Sequence, residues 1–242
     1  MTDHESIKAS LSEVLQQRTI AFIQGDLEVA PMRPAATVVM VTDTSDGLKV
    51  YLQMRARTMA FAAGMYVFPG GAVEEQDVVA AGADGFGDIG EDTLPARFAA
   101  VRETREESGF EILDPRSLSY IAHWVTPEVE PKRFDTRFYA TVVDDPSQAM
   151  ETSLETEGDQ WVHPQEAIEQ QSAGEIAMLP PTLSVVSGLA RLDAQGFSAS
   201  AAIADFASAP IIPLLPVPIS LDRTDGLTEW DLVDLRTREG LR

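Results

Sequence analysis

The chain has 242 residues, 44% of them apolar, which suits one generous domain with appendages and argues against wholesale disorder. Its 18 basic and 39 acidic residues give a formal net charge of −21. A field of that sign repels nucleic acid and anionic membranes, so neither is expected as a partner, and an anionic ligand needs arginines or a divalent metal. The absence of cysteine excludes disulfides, thiolate zinc sites and a cysteine nucleophile. No apolar run approaches the roughly 20 residues of a membrane span. The opening "MTDHESIKAS" does not read as a signal peptide, and a cytoplasmic location is expected.

In chain order, Ile7, Leu11, Val14, Leu15 and Phe22 recur at helical spacing and predict an amphipathic helix over 5–24. The prolines of "VAPMRP" mark a linker. "ATVVMVTD" predicts a buried strand, and an Asp46-Gly47 turn leads into "LKVYLQMR". There Leu48, Val50, Leu52 and Met54 alternate with Lys49, Tyr51, Gln53 and Arg55, the pattern of a half-buried strand paired as a hairpin. "MYVF" is a short strand ended by Pro69-Gly70-Gly71. Residues 74–92 are acidic and glycine-rich, show no sustained period and read as a loop. A helix follows from about Asp92 or Thr93 to Gly109, with Leu94, Phe98 and Val101 on its expected buried face.

"SLSYIAHWV", "RFDTRFYATVV" and "DQWV" predict three further strands. Helices are expected at 164–171, 181–194 and 198–208. The prolines at 210, 213, 216 and 218 exclude a central strand and predict an extended arm lying on this subunit or on a second copy. This order indicates a mixed sheet between helical layers, an α+β fold of α/β/α type with an added N-terminal helix and C-terminal helices and arm.

The chemistry concentrates in "RETREESGF", residues 102–110. Glu103, Glu106 and Glu107 share one helical face, because positions i, i+3 and i+4 are neighbours. Taken alone, the pattern is an ordinary solvated face, which Arg102 partly neutralises through Glu106. An oxygen-rich cluster of this kind also suits a hard cation. A short strand running into Pro-Gly-Gly adds a place where backbone can approach a ligand closely.

These residues resemble the Nudix box, Gly-x5-Glu-x7-Arg-Glu-U-x-Glu-Glu-x-Gly-U, where U is bulky and apolar. Arg102, Glu103, Glu106, Glu107, Gly109 and Phe110 match in spacing, with Thr104 at an aliphatic position. Arg102 follows Gly71 by 31 positions where the signature has 14, so about 17 residues are inserted. The box's early Glu has no plain counterpart; Asp77, Glu74, Glu91 and Asp92 are the alternatives. "RARTMAFAAGMYVFPGGAVEEQD" and "HWVTPEVEPKRFDTRFYA" resemble the long-insert Nudix branch of the peroxisomal coenzyme A diphosphatases and their bacterial relatives. Part of that branch's coenzyme A motif is present in Leu52, Arg55, Ala56, Gly64 and Phe68 to Gly71. Tyr51, Gln53 and Ala60 depart from it, and Ala60 removes an arginine.

The resemblance implies three parts: 1–34 as helix and linker, 35–195 as the Nudix domain with its insertion at 74–92, and 196–242 as helix and arm. It implies a magnesium- or manganese-dependent pyrophosphohydrolase that cleaves a nucleoside diphosphate linked to another moiety. Coenzyme A or an acyl-coenzyme A is one expected substrate; ADP-ribose, NADH, another nucleotide, or non-catalytic nucleotide binding are the alternatives. Glu103, Glu106, Glu107 and the Gly70 carbonyl are the implied metal ligands, with Arg102 orienting the glutamates. Glu157 is the implied general base, with Glu155 second. Arg55, Arg133 and Arg137 are the implied phosphate contacts, although Arg133 and Arg137 equally fit a salt-bridged row with Asp135. Trp124 and Phe134 fit either base stacking or core packing, and His123 and His163 read as structural. A homodimer is expected, joined through the terminal additions.

Overall fold

Val38 and Met40 leave one side of their strand, Val39 and Val41 the other, and all four are buried. A strand apolar on both sides must lie inside a sheet covered on both faces. The protein is described by a computed structural model over residues 7–10, 13–57, 62–83, 85–86, 92–149, 156–221 and 227–235. Its elements are β1 (Ile7–Ser10), α1 (Glu13–Gln24), β2 (Met32–Thr44), β3 (Gly47–Arg55), β4 (Tyr66–Val67), β5 (Gly70–Ala72), α2 (Glu75–Ala81), α3 (Leu94–Ser108), β6 (Ser119–Val125), β7 (Arg133–Val142), β8 (Thr156–Val162), α4 (Pro164–Ser172), α5 (Pro180–Asp193), α6 (Ala199–Ser208), β9 (Pro213–Leu221) and β10 (Leu227–Asp234).

One mixed sheet runs β1-β10-β9-β6-β7-β2-β3-β4, with β5 also paired to β2 and β8 to β3. The β2/β7 and β6/β9 pairs are parallel. α3 packs on one face over Val38, Met40 and Tyr139, while α4, α5 and α6 cover Val39, Val41 and Phe138 on the other. This is the expected α+β architecture, a mixed sheet between helical layers. Among the described residues no helix is long and apolar enough to cross a membrane.

Several local expectations change. The helix expected over 5–24 begins only at Glu13; Ile7–Ser10 is a strand paired with Leu227–Trp230. The proline-rich arm is β9, seated between β10 and β6. Proline lacks an N–H, and β9 meets β6 only at Pro213 and Leu214 while pairing along its length with β10. β10, over Leu227–Asp234, is a strand that no residue pattern had announced. Both sides of β3 are covered, so Tyr51 and Gln53 are fully buried although the alternation put them outward. Part of the loop expected at 74–92 is α2, closed by a capping box in which the Glu74 and Asp77 side chains serve each other's backbone N–H, and ended by Gly82 at φ 63°.

Candidate active site at the carboxylate helix

α3 starts at Thr93, whose Oγ1 accepts from Ala96 N at 3.4 Å, and stops at Gly109 with φ 69°. Its buried face is not Leu94, Phe98 and Val101, which are half-buried, but the smaller residues Ala96, Ala99, Ala100 and Thr104. Small side chains let the helix lie close to the sheet. Thr104, at the aliphatic position of the box, satisfies its hydroxyl by donating to Ala100 O at 2.7 Å. The same face continues into Glu103 and Glu107, so these two carboxylates turn toward the sheet and not, as the pattern taken alone suggests, onto a solvated face. Glu107 is 4% exposed and Glu103 half-buried; only Glu106 is open to water.

Two glycines make this approach feasible for different reasons. A Cβ on Gly70 would lie 2.4 Å from Ala36 O and 2.7 Å from Thr37 Cα, both backbone. A Cβ on Gly71 would lie 2.3 Å from Glu103 Oε1. Gly70 is therefore needed for the β2–β5 pairing and Gly71 for the carboxylate above it. Gly70 N also donates to Glu107 Oε2 at 2.9 Å, and Gln53 Nε2 donates to the same oxygen at 2.5 Å. Glu107 Oε1 has no hydrogen bond among the described residues, and neither has the buried Gln53 Oε1. Burial is the dominant influence on Glu107 and pushes its carboxyl up to about 7, against the two donors and the Arg55 charge. Burial also raises Glu103, against its bond to Arg102.

Arg102 is the hub. Its Nε and Nη2 fork onto Asp77 at 3.0 and 2.9 Å, Nη2 also reaches Ala72 O at 3.0 Å, and Nη1 donates to Glu103 at 2.7 Å and Glu106 at 3.3 Å. Burial acts to lower the guanidinium, but its bonds to Asp77 and Glu103 outweigh that and hold it above its ordinary value. Asp77 is thus the acid that orients Arg102, at the early Glu's distance from Gly71, and the insertion falls after it. Of the alternatives, Asp92 is held by Arg97 and by Tyr139 Oη at 2.8 Å, and the Glu74 side chain accepts from Gln76. Glu91 lies outside the described residues, as do Ala60 and Glu155.

The carboxylates stand in an open groove of about 1030 Å³ that also takes in Arg55, Arg33, Trp124, Phe134, Phe138, Met178 and the Leu179–Thr182 turn. Arg133 and Arg137 are not in it. They project to the opposite side of β7 from Phe134 and Phe138, both buried. Arg137 Nη1 pairs with Asp135 at 3.0 Å, and Arg133 donates to Thr126 O and Ala30 O. Asp135 also meets His123 Nε2, and His123 Nδ1 meets Tyr120 Oη at 2.6 Å. The salt-bridged account describes Arg137. Glu157 accepts from Arg57 N at 2.9 Å and does not line the groove. His163 pairs with Asp46 at 3.2 Å on the surface.

Sequence reasoning missed Gln53 and Arg33. Gln53 departs from the coenzyme A motif, which was its only available signal. Arg33, in the proline-bounded linker, carried none.

The donor set fits a hard divalent cation: carboxylate oxygens on one helical face, two of them raised by burial, with Glu107 Oε1 unengaged. Among the described residues, no three such side chains already converge on one point, because Glu103 and Glu106 are turned onto Arg102. Rotation of the exposed Glu106 is the adjustment that requires least.

A model of the NUDIX domain matches residues 31–180. Nudix hydrolase 7 of Caenorhabditis elegans is 26% identical over 194 residues, covering 66% of this chain; the match spans 61% of that relative's length. A NUDIX hydrolase from Alicyclobacillus acidocaldarius superposes with a TM-score of 0.64 at 24% identity, over 76% of this chain and all of its own. That likeness carries the fold. With the family match covering more than half of the sequence, this chain belongs to the Nudix family.

Proposed function

We propose that this protein is a divalent-metal-dependent pyrophosphohydrolase cleaving a nucleoside diphosphate linked to another moiety. The observation that carries this is Glu107, a buried carboxylate raised to about 7, beside Glu103 and Glu106 at the wall of a groove large enough for a nucleotide. A buried acid held by only two donors gains most when a cation arrives. When bound, magnesium or manganese supplies phosphate charge neutralisation and a more acidic water.

The chain's own residues do the rest. Gln53 and Gly70 fix Glu107 Oε2 and leave Oε1 for a ligand. Asp77 holds Arg102, which holds Glu103 and Glu106 on the same side of the helix. The Gly70 carbonyl belongs to the proposed ligand set. Arg55, on the groove wall and acting on Glu107, is the proposed phosphate contact. Glu157 can serve as base only after releasing Arg57, and Glu157→Gln with turnover intact retires that role.

The test is a turnover screen with magnesium or manganese against coenzyme A, acetyl-coenzyme A, ADP-ribose, NADH, a dinucleoside polyphosphate and the nucleoside triphosphates. Metal-dependent cleavage of a diphosphate is the expected result. Cleavage of coenzyme A would carry the branch resemblance through to substrate. Metal binding without any cleavage would move the protein to a nucleotide-binding module. The proposal includes a homodimer in the cytoplasm; light scattering near the 26.3 kDa of one chain would remove the dimer.

A further inference from the structure

Arg33 and Phe134 are ladder partners in the parallel β2/β7 pair, so their side chains leave the same face of the sheet side by side. Both line the groove. The Arg33 side chain makes no hydrogen bond or ion pair among the described residues, in a chain where acids outnumber bases 39 to 18. The groove's other arginines are differently placed: Arg102 is held by Asp77, and Arg55 acts on Glu107.

Ala36 lies opposite Gly71, beside Glu103. Arg33 is three residues back along β2, roughly 10 Å of backbone at about 3.3 Å per residue, and its side chain leaves the other face of the strand; both residues line the groove. The same groove is lined by Trp230 and Leu232, which share one face of β10, and by Pro216 of β9. These residues lie beyond the 31–180 match and belong to the chain's own terminal addition.

We propose that this end of the groove is a second anion subsite, in which Arg33 pairs with a phosphate carried on the ribose of the substrate nucleotide while Phe134 and Trp230 flank the attached ring. The inference deepens the reading above and rests on it. A guanidinium offers a planar fork for phosphate oxygens, and a nearly doubly charged phosphate gains most from one arginine in an otherwise acidic surround. Aromatic side chains beside it suit a planar ring.

The experiment uses two ligand pairs that differ by one ribose phosphate: NADPH against NADH, and coenzyme A against dephospho-coenzyme A. Dissociation constants are measured by calorimetry on the full chain in calcium, with hydrolysis recorded separately. The wild type should prefer the extra-phosphate member of one pair by about 10-fold or more, as a charge-assisted hydrogen bond provides. Preference in the first pair marks a 2′-phosphate, in the second a 3′-phosphate. Arg33→Gln should bring that ratio close to one, with Arg33→Lys in between. No preference in either pair, or a preference that survives Arg33→Gln, overturns the subsite. Absence of hydrolysis with the preference intact would instead count against the proposed catalytic activity and leave the subsite standing.

Discussion

Among the described residues, two clusters of buried charge are built on opposite terms. On β6 and β7, Tyr120, His123, Asp135 and Arg137 satisfy one another in sequence, with Asp135 taking both a histidine and an arginine. On α3, Glu103 and Glu106 converge on one arginine that is itself held by a third acid, Asp77, while Glu107 beside them has only Gln53 and Gly70 as donors. The first cluster is sealed; the second opens on the groove. Buried charge that is matched internally serves the fold, whereas buried charge left with excess acid is prepared for a cation from outside.

The largest effects should separate the clusters by kind. Arg137→Met leaves Asp135 buried without its cation and should lower stability by about 3–5 kcal/mol, read as a lower urea midpoint. Glu107→Gln should leave the fold intact and lower turnover by about 100-fold or more, because it removes a proposed ligand at the reacting phosphate. If Arg137→Met lowered turnover alone, or Glu107→Gln unfolded the chain, the two clusters would not differ in the way described.

The next effect concerns pH. Glu107 titrates near 7 in the folded chain against 4.5 for the unfolded reference, so the native state binds the extra proton between these values. Stability from this group is therefore full below the unfolded value and is lost as pH rises through about 7. Without metal at pH 8, Glu107→Gln should be more stable than wild type by roughly 2–3 kcal/mol. The substituted amide can also donate to the unsatisfied Gln53 Oε1 if the Gln53 amide turns. Thermal unfolding of both proteins in EDTA at pH 5 and pH 8 checks this; a gap that does not widen with pH contradicts it.

A smaller effect tests the support of the site. Gln53→Met keeps the volume but removes a donor to Glu107 and an unsatisfied oxygen. It should weaken manganese affinity about 10-fold while leaving unfolding unchanged or slightly improved. Loss of stability without loss of affinity would make Gln53 a packing residue only.

How much of this was legible follows from where each signal sits. Arg102, Glu103, Glu106, Glu107 and Gly109 lie within one helix and its stop, so local spacing displayed them. Asp77 is separated from Arg102 by the insertion, and only the fold shows which acid meets the guanidinium. Strand alternation placed Gln53 outward because it cannot reveal a second covering layer; α3 supplies that layer. Apolar size misassigned the inner face of α3, where alanines permit close approach. The prolines of β9 were read as excluding a central strand, yet β9 lies between β10 and β6; it meets β6 only at Pro213 and Leu214, and a strand paired along one side remains open to proline. Arg133, Asp135 and Arg137 were legible as one row, and in the structure Arg137 pairs with Asp135.

If α3 presents its carboxylates to a divalent ion, the loss of Glu107 must weaken that ion's binding. The most direct measurement is a manganese titration followed by electron paramagnetic resonance, on wild type and Glu107→Gln at equal concentration. The wild type should bind one ion per chain, and the variant should bind it at least about 10-fold more weakly. Equal affinity in the two proteins would contradict it.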